Sequence, residues 1–500
     1  MGKFQQIIKL HSDKAWFMLV ISLFSIVVWY AVHTFNEYLL AIPLGIIVIS
    51  IGLYNVKYFW YLTIFFVPLS MTANDLFGGA GLTMPTDPFC LIVLGLVIFK
   101  MVSERKAFLD YINHPIAWLL LLNGFWLLFT AIDSVRPTVS IKWFIQYSWL
   151  VGVFFFVPAF MFRDKRTMYR FLQIVSVGFL IALNTIFIIY LSSGRNPFGL
   201  RFNPGPFFVD HTVFGAFTAM WVPLMVIMAF RMDLSKREKK LARAALFFFV
   251  IGLFFSYSRG AWASCVASLA FMWIFAIGKK ARRYIIPVLF FGLCIGGYFY
   301  YNNSSSASSQ TKAAVSRKDL SSHIASVTNF KTDYSNAERI NRWYCAIEMW
   351  KRDPWTGYGP GTYAMEYATF QRAVYTTPVS TNHGDNGTAH NEFLLALSEQ
   401  GIPGMAITLI LFIVPIVIGL RGYERARDKN TKSLYLGVTF ALVAYDIHAL
   451  VNNFLDQDKI AMTYYGFLAI LLALDKYGRW EEKKKMGLKT DLPDPHSSKA

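Results

Sequence analysis

The sequence predicts an all-α polytopic membrane protein, and three observations carry that reading. Only 16% of the 500 residues are charged, while 55% are hydrophobic and the mean hydropathy is +0.42; soluble domains carry about 25% charged residues. The apolar residues gather in runs close to the roughly 20 residues that cross a bilayer as a helix. The basic residues are distributed very unevenly between the loops joining those runs. The same apolar content excludes a disordered chain.

Fourteen candidate spans follow in order: 15–35, 38–54, 57–73, 87–103, 115–132, 140–161, 169–192, 208–230, 240–257, 259–277, 283–301, 402–420, 433–452 and 459–475. Two pairs, 38–54 with 57–73 and 240–257 with 259–277, are joined by almost nothing, so twelve spans result if both pairs are overcounted. No Ala-x-Ala cleavage site follows the first span, which therefore reads as a retained helix. An even count puts both termini on one side, and the loop charges identify it. Of 48 Lys and Arg, 33 fall on the terminal side, nine lie in one long loop of the other side, and six are left in that side's short loops. Long loops escape the positive-inside rule, so the terminal side is expected to be cytoplasmic. Topology thus accounts for most of the net charge of +18, and no nucleic-acid partner is implied.

The chain accordingly divides into an N-terminal transmembrane bundle of about eleven spans (1–301), a large extracytoplasmic loop (302–389), a three-span C-terminal bundle (390–476) and a cytoplasmic tail (477–500). The loop starts with the low-complexity run NNSSSASSQ (302–310) and then gains order. Ser335 and Glu338 have capping-box spacing, and residues 337–352 place Ile340, Trp343, Ile347 and Trp350 on one helical face. Asp353-Pro354 ends that helix, and Gly357-Tyr-Gly-Pro-Gly361 reads as a tight turn.

A cation in a short outer loop opposes insertion, so it needs a reason. Arg136, Lys142, Arg195, Arg201 and Arg259 stand out. Arg259 lies in Ser256-Tyr-Ser258-Arg259-Gly260, at a helix junction whose small residues permit close approach and where a guanidinium can fork onto phosphate oxygens; snorkelling to lipid headgroups is the plainer alternative. Arg201 and Arg195 sit in Gly/Pro-rich turns ahead of the span at 208, where ordinary loop charges are nearly as good a description. Asp210-His211 reads as a satisfied polar pair at a helix end. His390 lies in Thr388-Ala-His390-Asn391-Glu392, where Thr388 can cap a short helix ending at Gln400-Gly401. The positive end of such a helix favours a neutral imidazole, as a general base requires; a hydrogen-bonded interfacial histidine is the bland alternative. The four cysteines, Cys90, Cys265, Cys294 and Cys345, fit no metal spacing, no His/Cys/Asp cluster has zinc spacing, and no nucleotide loop follows a strand.

Four features in this order resemble the O-antigen ligase and polymerase superfamily. His390-Asn391 followed by Gly401 and Gly404 is similar to its H-[NSQ]-x9-G-x-x-[GTY] signature, and Ser256-Tyr-Ser258-Arg259-Gly260 to its S-x-S-R-G. Glu338-Arg339-Ile with Trp343, Pro354 and Gly357–Thr362 looks like its long-loop pattern, and that loop precedes the last three spans. The ligases have twelve spans, against fourteen counted here. The resemblance implies a C-type, inverting, metal-independent glycosyltransferase of the bacterial inner membrane. It takes glycan from undecaprenyl diphosphate at the outer, periplasmic leaflet and needs no cofactor. His390 would activate the acceptor hydroxyl, Arg259, Arg201 and Arg195 would bind the diphosphate, and Asn391, Ser258, Arg339 and Gly401 would support them. The acceptor would be lipid A–core in a ligase, or another lipid-linked glycan in an O-antigen or exopolysaccharide polymerase. A protein-glycosylating relative is a third member, and a polysaccharide-related transporter is the alternative from a different class. Transport would need ionisable residues at mid-span; only Asp446 and His448 approach that, and they read as a polar pair between helices.

Overall fold

The computed structural model describes residues 55–73, 82–103, 111–162, 164–193, 203–277, 334–372 and 387–485, with residues 22 and 283. The expected spans at 15–35, 38–54 and 283–301, the run 302–310, and both Arg195 and Arg201 lie outside the described residues.

The described part is mostly helical. Its helices are α1 (Val56–Phe66), α2 (Thr86–Ser103), α3 (Pro115–Ile132), α4 (Pro137–Val151), α5 (Lys165–Ser192), α6 (His211–Phe230), α7 (Lys236–Phe255), α8 (Arg259–Ile277), α9 (Tyr334–Arg352), α10 (Glu392–Arg425), α11 (Lys429–His448) and α12 (Asp458–Lys485). Among the described residues, six helices are long and apolar enough to cross a membrane: α3, α4 extended to Ala159, α5, α6, α8 and α10. The protein is a multi-pass, all-α membrane protein. The sequence places spans within two to four residues of most of these helices, and two differences have local causes. The span expected at 57–73 is a shorter helix: α1 stops at Phe66, a 3-10 turn containing Pro68 follows, and Met71–Ala73 pairs antiparallel with Leu82–Met84. Proline cannot donate the next helical bond, which frees the chain to leave as a strand. At the other end, α12 runs on past 475, into the segment expected to be tail.

Helix α6 is the axis of the bundle, buried along nearly its whole length and packed most extensively on α11 and α7. Its aromatic neighbours stack closely, Phe179 on Phe249 at 4.6 Å between centroids and Trp221 on Phe249 at 5.7 Å, contacts that add to area burial. Peripheral helices show one bare apolar stripe, such as Trp118, Leu122, Phe125, Phe129 and Ile132 on α3; hydrocarbon solvates such a stripe without penalty. Loops assigned to one side by charge do meet. Lys165 bonds Asp428 and Lys429 bonds Asp233, each at 2.8 Å, at one end of the bundle. At the other end Arg136 pairs with Glu366 at 2.6 Å.

The loop helix α9 ends at Arg352, ahead of Pro354 as expected. It begins at Tyr334, so Ser335 stands inside it rather than before it. Its buried face is also different. Glu338, Asn341, Arg342, Cys345, Ala346 and Met349 are buried, whereas Ile340 is 45% exposed. Polar residues win the buried face because partners await them there: Arg342 bonds buried Glu338 at 2.7 Å and donates to Thr388 O at 3.0 Å.

The turn at Gly357–Gly361 clamps this loop to the bundle. Gly357, Gly359 and Gly361 all have positive φ (65°, 102° and 75°), where a side chain is strained. Tyr358 N and Gly359 N donate to Ser398 O and Glu399 O at 3.0 and 2.8 Å. Ser134 Oγ and Ser140 Oγ donate to Tyr358 O and Pro360 O at 3.1 and 2.8 Å. A methyl group on Gly359 would overlap Ser134. Gly359→Ala is therefore expected to cost about 2 kcal/mol or more, read as a lower unfolding midpoint in detergent. An unchanged midpoint would show that the turn does not hold the loop.

Candidate active site

Four segments converge on one irregular stretch, residues 449–457 between α11 and α12. The first is the turn between α7 and α8. Ser256 Oγ donates to Leu253 O at 2.7 Å and accepts from Ser258 N at 3.2 Å. Ser258 Oγ accepts from Ala261 N at 3.4 Å, which makes it the cap of α8. Arg259 is the first residue of α8, so its guanidinium belongs to the positive end of a helix. This turn approaches α6 and α11 very closely. A Cβ on Gly260 would lie 3.3 Å from His448 Cε1, and one on Gly215 would lie 2.9 Å from Ser258 Cβ.

The second segment is 388–392. The sequence suggested a helix capped by Thr388 with His390 on one of its faces; the structure places the helix start at Glu392, capped by Asn391. Asn391 Oδ1 accepts from Phe393 N and Leu394 N, both at 2.9 Å, and its Nδ2 donates to Leu450 O at 2.9 Å. Asn outcompetes Thr here because one amide both caps the helix and ties the neighbouring loop. His390 thus precedes the helix, with φ +49°. The Ser-x-Ser turn holds a second such residue, Tyr257 with φ +47°. These are the described non-glycine residues with positive φ, a conformation costing on the order of 1–3 kcal/mol that is retained where the surroundings over-determine it. The helix expected to end at Gly401 does so: Gly401 has φ +68°, separating 392–400 from the long apolar part of α10.

The third segment, α9, delivers Arg339, whose Nε donates to Val451 O at 3.3 Å, and Arg342. The fourth is the start of α12. Lys459, missed in the sequence reading, is buried against the ring of Phe208 and bonds Ser70 at 3.0 Å and Asp458 at 3.2 Å.

The loop 449–457 binds these pieces together. Glu392 N donates to Ala449 O at 3.0 Å, and Glu392 Oε1 accepts from Tyr445 OH, Phe454 N and Leu455 N at 2.7, 2.9 and 3.1 Å. Asn453 Oδ1 accepts from the Thr388 hydroxyl. His390 Nδ1 lies 3.2 Å from Asn452 Oδ1, and Asn452 Nδ2 lies 3.0 Å from His448 Nε2. His448 therefore turns to Asn452 and not to Asp446, the partner expected from sequence. Burial, with the cations of Arg342 and Arg339 behind it, lowers the His390 pKa from its ordinary value to about 4. The imidazole is neutral at physiological pH, as expected, although burial is the main cause. The 392–400 segment also walls a cavity lined by Glu392, Glu399, Gln400, Trp143, Gln146 and Asp456.

The structure thus gathers His390, Asn391 and Arg339 around one loop, and sets the Ser258–Gly260 turn against the His448 that the same loop uses. Asp210 is a plain cap, its Oδ1 accepting from Thr212 N at 2.6 Å and Val213 N at 3.0 Å. Asn452 and Asn453 escaped the sequence reading, and His448 was read only as a polar pair with Asp446, because no local pattern links residues about 60 positions from His390. Among the described residues, no group of His, Cys, Asp and Glu is arranged to hold a metal.

A multi-pass helical protein with histidine, arginine and amide side chains converging at one end of its bundle is the class that fold and site define. Residues 244–409 match the family model described as O-antigen ligase. That segment is similar to the O-antigen ligase and polymerase superfamily, whose members are glycan ligases and polymerases acting on lipid-linked glycans. The match includes Arg259, Arg339, His390, Asn391, Gly401 and Gly404, and stops before the 449–457 loop. No curated protein matches the chain.

Because His390 sits at positive φ, His390→Gly should melt above His390→Ala by an amount equivalent to about 1 kcal/mol. Equal midpoints would mean that the backbone relaxes out of this conformation.

Proposed function

We infer that the protein moves a glycan from undecaprenyl diphosphate to an acceptor hydroxyl at the periplasmic edge of a bacterial inner membrane, as an O-antigen ligase acting on lipid A–core. The observation that carries this reading is the neutral imidazole of His390, fixed at a strained backbone position and flanked by the guanidinium groups of Arg339 and Arg342. The acceptor oxygen loses its proton to His390 Nε2 as it attacks the anomeric carbon. The bond from that carbon to the diphosphate breaks on the opposite face, so the configuration inverts. Undecaprenyl diphosphate leaves with its charge stabilised by Arg259, with Arg201 and Arg195 completing the set. Guanidinium forks do here what a divalent metal does in other diphosphate chemistry. The cation-rich end of the bundle, where α5, α7 and α11 start, is then cytoplasmic with both termini, and the 302–389 loop is periplasmic.

Burial first, and then the guanidinium groups of Arg342 and Arg339, make His390 a weak base in the free protein, and an anionic donor bound beside the imidazole offsets those cations. Donor binding therefore raises the basicity of the imidazole at the moment it is needed. For the free enzyme, a base lowered to about 4 keeps kcat/KM level as pH falls through 7, 6 and 5, with loss only below. The acid limb of kcat should lie at higher pH. A kcat/KM limb near the ordinary histidine value of about 6.5 would contradict this.

His390→Ala and Arg259→Ala should each reduce transfer at least about 100-fold with normal protein levels. Arg259→Lys should also be impaired, because a point charge cannot fork onto a diphosphate. Complementation of a deletion strain by His390→Ala would overturn the base assignment. In the deletion strain, accumulated lipid-linked polymer supports a ligase, while lipid A–core bearing a single repeat indicates a polymerase with the same donor chemistry.

A further inference from the structure

The 449–457 loop lies beyond the family match, yet it supplies the side chain that touches the His390 ring. Asn452 presents two different faces. Its Oδ1 can only accept, so the Nδ1 it meets on His390 must carry the proton. Its Nδ2 can only donate, so the Nε2 it meets on His448 must be the unprotonated nitrogen of that ring. His448 is 1% exposed and packs close to Gly260, next to Arg259, where an added Cβ would lie 3.3 Å from its Cε1. The amide is pinned further by its own backbone, since Asn452 N donates to His448 O at 3.1 Å. Asn452 is itself 2% exposed, so its amide bonds to the two rings without competition from water.

We propose that Asn452, held by His448, is the positioning residue of this site, fixing His390 in the tautomer whose Nε2 is free to take the acceptor's proton. This rests on the reading of His390 as base. An amide suits the task better than the carboxylate that orients histidine in many hydrolases. A carboxylate would hold the same tautomer, but it would set a negative charge beside the seat of an anionic diphosphate. The charged and titratable groups facing His390 are Arg339, Arg342 and Glu338 of α9, with His448 behind Asn452. The only carboxylate among them is already bonded to Arg342.

The experiment is kinetic, on the full-length protein with lipid-linked glycan donor. Asn452→Ala should lower kcat about 10- to 100-fold, as loss of an orienting partner does, with KM for the donor little changed. Asn452→Asp keeps the acceptor for Nδ1 but adds a charge. It should move the acid limb of the kcat/KM profile up by at least about one pH unit and raise the donor KM. A residue that only braces the loop moves neither the limb nor the balance between kcat and KM. Wild-type kinetics and pH profile in both variants overturn the proposal, and if Asn452→Ala does not fold, the Asn452→Asp profile alone decides. Should His390→Ala itself retain full transfer, the base reading fails instead, and the two failures are distinguishable.

Discussion

Where a chain leaves its helix inside a membrane bundle, every peptide group it exposes has to find a partner in protein, because hydrocarbon offers none. The stretch 449–457 meets this demand through the segment that carries His390: backbone groups of Ala449, Leu450, Phe454 and Leu455 bond Asn391 or Glu392, and Val451 O takes Arg339. A buried donor or acceptor left open costs about 1–3 kcal/mol. The loop and the 388–392 segment therefore form as one unit. The position of the imidazole is a by-product of satisfying that backbone, which is why a short polar loop can hold it as firmly as a helix would.

The same demand explains what could be read from the sequence. Apolar runs bounded by Pro, Asn and charged residues marked α3, α8 and α11 closely, since the hydrophobic effect acts on stretches of chain. The glycine turn at 357–361 was legible because closely spaced glycines have few structural excuses; Arg259 and His390 stood out as candidates, the one as a cation in a short outer loop and the other as an imidazole at the start of a helix. Choices between neighbouring polar groups were not legible. Thr388 and Asn391 are both good caps, and Asn391 won because Leu450 O lay within reach of its amide. On α9 the apolar stripe pointed one way, but Glu338 and Arg342 buried each other and Thr388 O fixed the rotation. Asn452 and Asn453 carry no local signature at all, for their partners lie in the distant 388–390 segment.

Strain is placed where chemistry is proposed and packing is dense. Tyr257 and His390 both hold left-handed backbone, and each is gripped from several sides. Tyr257 is buried between Phe254 and Trp262, and His390 N donates to Thr388 Oγ1 at 3.2 Å while its ring bonds Asn452. Bulk stability elsewhere, above all the stacked aromatics around α6, carries that local cost.

Gly401 divides α10 into two helices under different masters. The bonds that hold its first part, from Tyr358, Gly359 and Trp126 to the carbonyls of residues 398–400, with Ile402 N reaching Pro354 O at 2.9 Å, come from protein and owe nothing to lipid. The second part, 402–425, shows apolar side chains such as Leu409, Ile410 and Ile413 on its outer surface, and its lean is set by packing against the neighbouring helices. With a left-handed residue between them, the direction of the long apolar rod is separated from that of the short segment next to His390.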